Sequence, residues 1–181
     1  KCPNNCYFCI KHYRTGVGDF NLKLKNEPTA TQVTNELSEV LHNRIWDGLV
    51  FCGFGEPTAR LDMLKEVTKW VRKNYGRAIQ IRLDTNGQAF LLNPGRDVAA
   101  ELKDAGVDCV SVSLNAADKE TYQEICRQTY PDTYEAILDF IRKAKSILCV
   151  EVSAVRLPEV DIAKVSVLAK DLGVPFKVRE Y

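Results

Sequence analysis

The segment LVFCGFGEPT, residues 49–58, decides the fold class. Its first four residues form a short apolar run, which is typical of a strand that is covered on both faces of a parallel sheet. The remaining six residues are rich in glycine and end at a proline turn. We therefore expect a strand followed directly by a loop at its carboxyl end, where α/β proteins collect their functional groups.

Four further segments have the pattern of strands. Residues 79–84, 110–114 and 150–153 alternate apolar and polar side chains, and residues 175–178 form a weaker final strand. Successive strands start roughly 30 to 40 residues apart, which is the length of a strand, a crossover helix and two loops. This repeat predicts an α/β fold with a parallel sheet.

Amphipathic segments lie between the predicted strands. Thr29 and Gln32 have the capping-box pattern in front of an apolar stripe that ends at Leu41. Similar stripes predict helices that begin near residues 61, 98, 132 and 161, and the last of these is expected to end at Gly173. The longest connection has room for one more helix, near residues 118–126.

The composition predicts one domain over residues 1–181. The chain is 45% hydrophobic and 27% charged, and no linker divides it. Because a helix precedes the first strand and the chain begins inside a cysteine motif, we expect a further strand upstream of Lys1 that this sequence lacks. The formal net charge of +1 gives no reason to expect nucleic acid or an anionic membrane as the main partner. No segment approaches the ~18 apolar residues of a membrane span.

Three of the seven cysteines crowd into CPNNCYFC, residues 2–9. Cys2, Cys6 and Cys9 have the spacing C-x3-C-x2-C, and so short a loop can wrap three thiolates around one iron–sulfur cluster with one iron left open. A zinc site completed by His12 and a chance arrangement remain alternatives at this point.

The other four cysteines, at positions 52, 109, 126 and 149, lie in apolar contexts, where a free thiol behaves as a small hydrophobe. The odd total of seven argues against a secreted disulfide framework and favours a reducing compartment, the cytoplasm.

The cysteine motif and the loop Gly53-Phe54-Gly55-Glu56-Pro57-Thr58 together resemble the radical S-adenosylmethionine (radical SAM) superfamily. The resemblance implies a partial (β/α)6-type parallel barrel, a [4Fe-4S] cluster and S-adenosylmethionine. It also implies an external one-electron donor, of flavodoxin or ferredoxin type, and a 5′-deoxyadenosyl radical that abstracts hydrogen from a substrate. Within the superfamily, Gly16-Val17-Gly18 and the GFGEPT string are most similar to the TatD-associated radical SAM proteins, which implies a functional link to a TatD-type hydrolase.

The same resemblance implies roles for the residues of the two motifs. Cys2, Cys6 and Cys9 match the cluster ligands, and Phe8 matches a position whose backbone meets the adenine. Gly55 and Glu56 match the loop whose carbonyl groups accept hydrogen bonds from the methionyl ammonium group. Phe54 stands where the family has its first loop glycine.

Polar residues at the ends of the later strands receive roles from their position alone. We expect Ser113 and Asn115 to hold the ribose hydroxyls or the methionyl carboxylate, and Arg156 to pair with that carboxylate. Asp84 and Asn86 are expected to face cofactor or substrate. Plain alternatives exist: Glu56 precedes a proline and also suits a solvated loop, Asn86-Gly87 is a common turn, and Arg156 also suits an ordinary salt bridge.

Three functions fit these features. The first is a radical enzyme that cleaves S-adenosylmethionine and acts on an unidentified substrate. The second is a non-catalytic iron–sulfur module for electron transfer or sensing, and the third is a zinc-stabilised binding domain. The glycine-rich loop favours the first, because neither alternative has a use for it.

Overall fold

The computed structural model describes residues 1–43 and 45–180. A small antiparallel ribbon, β1 (Gly16–Val17) and β2 (Phe20–Asn21), follows the cysteine motif. The five remaining strands form one parallel sheet in the order of the chain: β3 (Gly48–Phe51), β4 (Gln80–Thr85), β5 (Cys109–Ser113), β6 (Cys149–Val155) and β7 (Phe176–Arg179). The predicted α/β fold with a parallel sheet is confirmed.

The helices also lie where the apolar periodicity predicts them. They are α1 (Ala30–His42), α2 (Leu61–Tyr75), α3 (Ala89–Leu92), α4 (Val98–Ala105), α5 (Lys119–Cys126), α6 (Thr133–Ala144) and α7 (Ile162–Asp171). Both halves of the Thr29–Gln32 capping box are formed. The single turn α3 and two short 3₁₀ helices, Ile10–His12 and Pro57–Arg60, were not predicted, because such short elements carry no periodic pattern.

The helices that connect the parallel strands pack on one face of the sheet. Consecutive strands are neighbours, so every right-handed crossover places its helices on the same face. The helix-covered face is apolar, and Leu83, Val112 and Val152 are fully buried there. The opposite face, which we call the inner face, carries polar side chains such as Arg82 and Ser111. Ser111 is the register partner of Asp84 on β4 and of Glu151 on β6. This arrangement matches a partial (β/α) barrel and differs from a doubly wound sheet.

Two expectations about burial are wrong. The first strand is not covered on both faces: Val50 is 43% exposed, because β3 pairs only with β4 among the described strands and helices cover one face. Cys52 and Cys149 are exposed rather than apolar core residues. Both lie on the inner face, where apolar neighbours are few.

A tight turn after β4 brings the site loop against the core. Gly87 has φ 80°, and a Cβ atom there would lie 2.9 Å from side-chain carbons of both Ile137 and Val112. The position therefore needs glycine both for its backbone conformation and for its lack of a side chain.

We predict that Gly87→Ala destabilises the protein by about 2 to 4 kcal/mol, from left-handed strain plus overpacking. Gly95→Ala is the matched control, because Gly95 has φ 77° but open space around its Cβ position. That variant should lose only about 1 kcal/mol. Chemical denaturation of the apoprotein measures both values, and equal losses would contradict the packing argument.

Candidate metal centre and its surroundings

The buried carboxylate of Glu56 joins the two loops that follow β3 and β4. Its Oε1 atom accepts hydrogen bonds from the Thr58 backbone (3.0 Å), the Thr58 hydroxyl (2.7 Å) and the Thr85 hydroxyl (2.6 Å). Its Oε2 atom accepts from the backbone N–H of Asn86 (2.7 Å). Burial nevertheless raises the pKa of Glu56, because desolvation outweighs these donors. The alternative of a solvated loop residue is therefore wrong.

Asn86 continues this connection to the cysteine motif. Its side-chain Nδ2 lies 3.7 Å from Cys2 Sγ, and its Oδ1 accepts from the backbone of Gln88. Asn86-Gly87 is thus a turn, as its sequence indicates, and also an amide donor to a predicted cluster ligand. Hydrogen bonds to the sulfur atoms are one means by which proteins tune iron–sulfur clusters.

The segment that carries the cysteines docks on α5. The Asn4 side chain donates to the Tyr122 hydroxyl (2.8 Å) and accepts from Gln88 Nε2 (2.6 Å), and all three residues are buried. The backbone follows the same path, because the N–H groups of Asn5 and Tyr7 donate to carbonyls at the end of α5. These contacts hold the cysteine loop at the carboxyl end of the sheet.

Cys126, the last residue of α5, brings a fourth sulfur next to the motif. It is fully buried, and Asn115 Nδ2 lies 3.7 Å from its Sγ atom. Contact with the Cys126 thiol lowers the pKa of Cys6, and the same contact together with burial raises the pKa of Cys126. Cys6 is therefore the more acidic thiol of this pair, and a metal ligand must be deprotonated.

Within the described residues, the three motif cysteines form no single-ion site with His12. All three are partly exposed, and burial raises the pKa of Cys2 while a hydrogen bond from the Asn4 backbone N–H, and more weakly the cation of Lys11, oppose that effect. Within residues 1–43 and 45–180, no group of three or more His, Cys, Asp or Glu residues is arranged to hold one metal ion. His12, the fourth ligand of the zinc alternative, is exposed. The zinc alternative is therefore not supported.

The loop residues Gly55 and Glu56 contact the start of the cysteine segment. The Glu56 backbone N–H donates to the Lys1 carbonyl (2.9 Å), and a Cβ atom on Gly55 would lie 3.0 Å from that oxygen. A cavity of about 840 Å³ opens beside them, lined in part by Lys11, Lys23 and Phe54. Phe8 is half-buried, and its ring lies edge-on to Tyr7.

Ser113 and Asn115 lie at the end of β5, as predicted. Asn115 is buried with φ 62°, and its backbone N–H donates to the Ser153 carbonyl. Its side chain points to Cys126 and so lies near the motif. Whether these two residues bind a cofactor stays a prediction.

Asp84 and Arg156 are engaged in ion pairs. Asp84 lies 2.9 Å from Arg82 and 3.8 Å from Arg179 on the inner face. Arg156 follows β6 and pairs with Glu180 at 3.0 Å, with its side chain 55% exposed. The salt-bridge alternative for Arg156 is thus present in the structure, at a strand end that faces the same side as the site.

Several residues of the site escaped the sequence analysis. Asn4, Gln88 and Tyr122 form buried polar contacts that hold the cysteine loop, Thr85 donates to Glu56, and Cys126 was taken for a simple core residue. The one available signal was polar residues at strand ends. The partners lie 29 to 118 residues apart in sequence, so spacing could not reveal them.

The chain belongs to the radical SAM superfamily, whose family model matches residues 1–171. Members of this superfamily use a [4Fe-4S] cluster and S-adenosylmethionine. A probable GTP 3′,8-cyclase of Saccharolobus islandicus is 30% identical over 177 residues, which cover 96% of this chain and 51% of that protein. An uncharacterised protein of Methanocaldococcus jannaschii is 27% identical over 173 residues, which cover 96% of this chain and 50% of that protein. The chain spans about half the length of the curated relatives it matches.

Solved structures confirm the fold. HydG, a maturase of the [FeFe]-hydrogenase, superposes with a TM-score of 0.67 at 18% identity, covering 99% of this chain and 40% of that one. TYW1 with a bound lysine-pyruvate adduct gives a TM-score of 0.63 at 17% identity, and the match covers 99% of this chain and 61% of that one. In the part of the chain that the structure describes, no helix is long and apolar enough to cross a membrane.

We predict that Glu56→Gln destabilises the apoprotein by about 2 to 4 kcal/mol. The NH₂ group of the new glutamine would face hydrogen-bond donors that now point at a carboxylate oxygen. A raised pKa means that the folded state binds the proton more tightly than the unfolded chain does. The stability that Glu56 contributes therefore falls as the pH rises from its ordinary value toward the raised one. The loss caused by the substitution should be larger near pH 5 than near pH 8.

Glu124→Gln is the control, because Glu124 is exposed, and it should change the stability by less than about 0.5 kcal/mol. Urea denaturation of the three proteins at the two pH values supplies the comparison. A loss for Glu56→Gln that grows with pH would show that the carboxylate is stabilised by its donors more than it is penalised by burial.

Proposed function

We propose that the whole protein is a radical enzyme whose cluster is held by Cys2, Cys6 and Cys9. One observation supports this most: the buried Glu56 ties the loop after β3 to Asn86, and Asn86 contacts Cys2. The glycine-rich loop and the cysteine motif therefore form one unit. Neither a sensing module nor a zinc domain requires that coupling.

When bound, the cluster supplies the electron that cleaves S-adenosylmethionine, and the resulting 5′-deoxyadenosyl radical abstracts hydrogen from the substrate. The residues of this chain bind and orient. Contact with Cys126 lowers the pKa of Cys6, which favours its role as a ligand, and Asn86 contacts Cys2. Phe8, Gly55 and Glu56 are proposed to face the adenine and the methionyl ammonium group.

Ser113, Asn115 and Arg156 complete the proposed cofactor site. Ser113 and Asn115 end β5 next to the cysteine loop, and Asn115 is held there by its contact with Cys126. Arg156 is proposed to exchange its pairing with Glu180 for the methionyl carboxylate. Because the Arg156 side chain is more than half exposed, that exchange requires no unfolding of the core.

The part of the inner face toward the carboxyl ends of the strands is the proposed substrate surface. Arg82, Asp84 and Arg179 meet there beside Cys52, and the Ser153 hydroxyl on the same face is buried without a hydrogen-bond partner among the described residues. Charged and unpartnered polar groups on a sheet face are costly unless water or a ligand satisfies them. We propose that the substrate of the enzyme contacts this face.

The finer assignments are part of the same proposal. The TatD-associated subgroup rests on the resemblance of Gly16-Val17-Gly18 and of the GFGEPT string. The ribbon needs both glycines, because a Cβ on Gly16 would lie 1.8 Å from the Phe20 carbonyl and Gly18 has φ 55°. A TatD-type hydrolase as functional partner follows from that subgroup alone. A cytoplasmic location agrees with seven free thiols, and an electron donor of flavodoxin or ferredoxin type follows from the family resemblance.

We predict that the reconstituted full-length protein, given dithionite and S-adenosylmethionine, produces 5′-deoxyadenosine and methionine. Serine in place of Cys2, Cys6 or Cys9 should abolish the product, because each substitution removes a cluster ligand. Cys149→Ser is the matched control, since Cys149 lies at the other end of the sheet, and it should keep the wild-type yield. Anaerobic chromatography measures both products.

A fully reconstituted protein that makes no 5′-deoxyadenosine would contradict the proposal. If its reduced cluster also gave an electron paramagnetic resonance spectrum unchanged by S-adenosylmethionine, the electron-transfer or sensing alternative would replace it.

We predict that Arg156→Gln weakens S-adenosylmethionine binding about tenfold, because a charge-assisted hydrogen bond is lost. Glu180→Gln, which frees Arg156 from its partner, should leave the affinity unchanged or improve it. Equilibrium binding to the oxidised, cluster-loaded protein measures the two variants. An equal loss in both would show that the Arg156–Glu180 pair is only structural.

A further inference from the structure

Cys109 and Cys149 stand side by side at the end of the sheet that the proposed function does not use. Each is the first residue of its strand, and the two are register partners in the parallel pair β5–β6. Register partners point to the same face, here the inner face, and neighbouring strands lie about 4.8 Å apart. That spacing falls within the Cα separations of about 4.4 to 6.8 Å that disulfides span.

The two thiols also contact each other, and they differ in solvent exposure. Cys149 is exposed, whereas Cys109 is partly buried and accepts a hydrogen bond from Gln80 Nε2 at 3.5 Å. Burial, followed by contact with Cys149, raises the pKa of Cys109 to about 11. A small reagent therefore meets Cys149 first, and Cys109 lies within reach behind it.

The pair is separate from the metal centre. It lies at the amino end of the strands, while the cysteine motif lies at the carboxyl end. The seven residues of β6 set the two ends about 20 Å apart. A reaction at this pair changes no predicted cluster ligand.

We propose that Cys109 and Cys149 form a reversible redox dithiol, a modification site that closes to a disulfide in the presence of a small-molecule disulfide such as oxidised glutathione. In the first step the Cys149 thiolate attacks the glutathione disulfide, forms a mixed disulfide and releases one glutathione thiolate. In the second step the Cys109 sulfur attacks Cys149 Sγ, its proton is lost, and the second glutathione leaves. The two protein thiols lose two electrons, and the glutathione disulfide gains them.

The test treats the full-length, cluster-loaded protein with oxidised glutathione under anaerobic conditions, blocks free thiols and digests it with trypsin. The expected product is a cross-link between peptides 104–119 and 146–156, which dithiothreitol reverses. In Cys109→Ser the reaction should stop at a glutathione adduct on Cys149. The iron content should stay unchanged, which would show that the cluster ligands do not react with the oxidised glutathione.

Cys52 serves as the internal control in the same digest. It is exposed too, but its charged neighbours are Asp84, Arg82 and Arg179 rather than a thiol, so it should keep its glutathione. The proposal is overturned if wild-type Cys149 also keeps its glutathione, stays unreacted, or links to a cysteine other than Cys109.

Discussion

The buried carboxylate of Glu56 is the interaction on which the rest of the site depends. A carboxylate removed from water is costly, and four donors from Thr58, Thr85 and Asn86 offset part of that cost. These donors come from the ends of two neighbouring strands, so the carboxylate fixes one loop against the other. Through the Asn86 side chain the same contacts reach Cys2, and a loop-packing residue thereby positions a metal ligand.

The opposite side of the cysteine loop is held by α5. Asn4 satisfies both ends of its buried amide with Tyr122 and Gln88, and the backbone beside it pairs with the end of the helix. Cys126 lies at that helix end, so the contact that lowers the pKa of Cys6 comes from the element that anchors the segment. The geometry of the metal centre is therefore set by long-range packing rather than by the eight-residue motif alone.

The sequence predicted the elements well because strand and helix periodicities are local signals. The Thr29 capping box, the helix near residues 118–126 and all five parallel strands are present. The surroundings of single polar residues were harder to predict from the sequence. Glu56 looked like a solvated turn residue, because its donors Thr85 and Asn86 lie about 30 positions away along the chain. The same limit explains Val50, Cys52 and Cys149, whose exposure depends on the helices all covering one face of the sheet.

The central claim is that three cysteines hold a four-iron cluster and leave one iron open to S-adenosylmethionine. Mössbauer spectroscopy of the reconstituted full-length protein, with and without S-adenosylmethionine, tests it most directly. The account predicts that one iron site in four shifts on addition of the cofactor while the other three stay constant. Four sites that are all ligated by protein side chains and do not respond would contradict it.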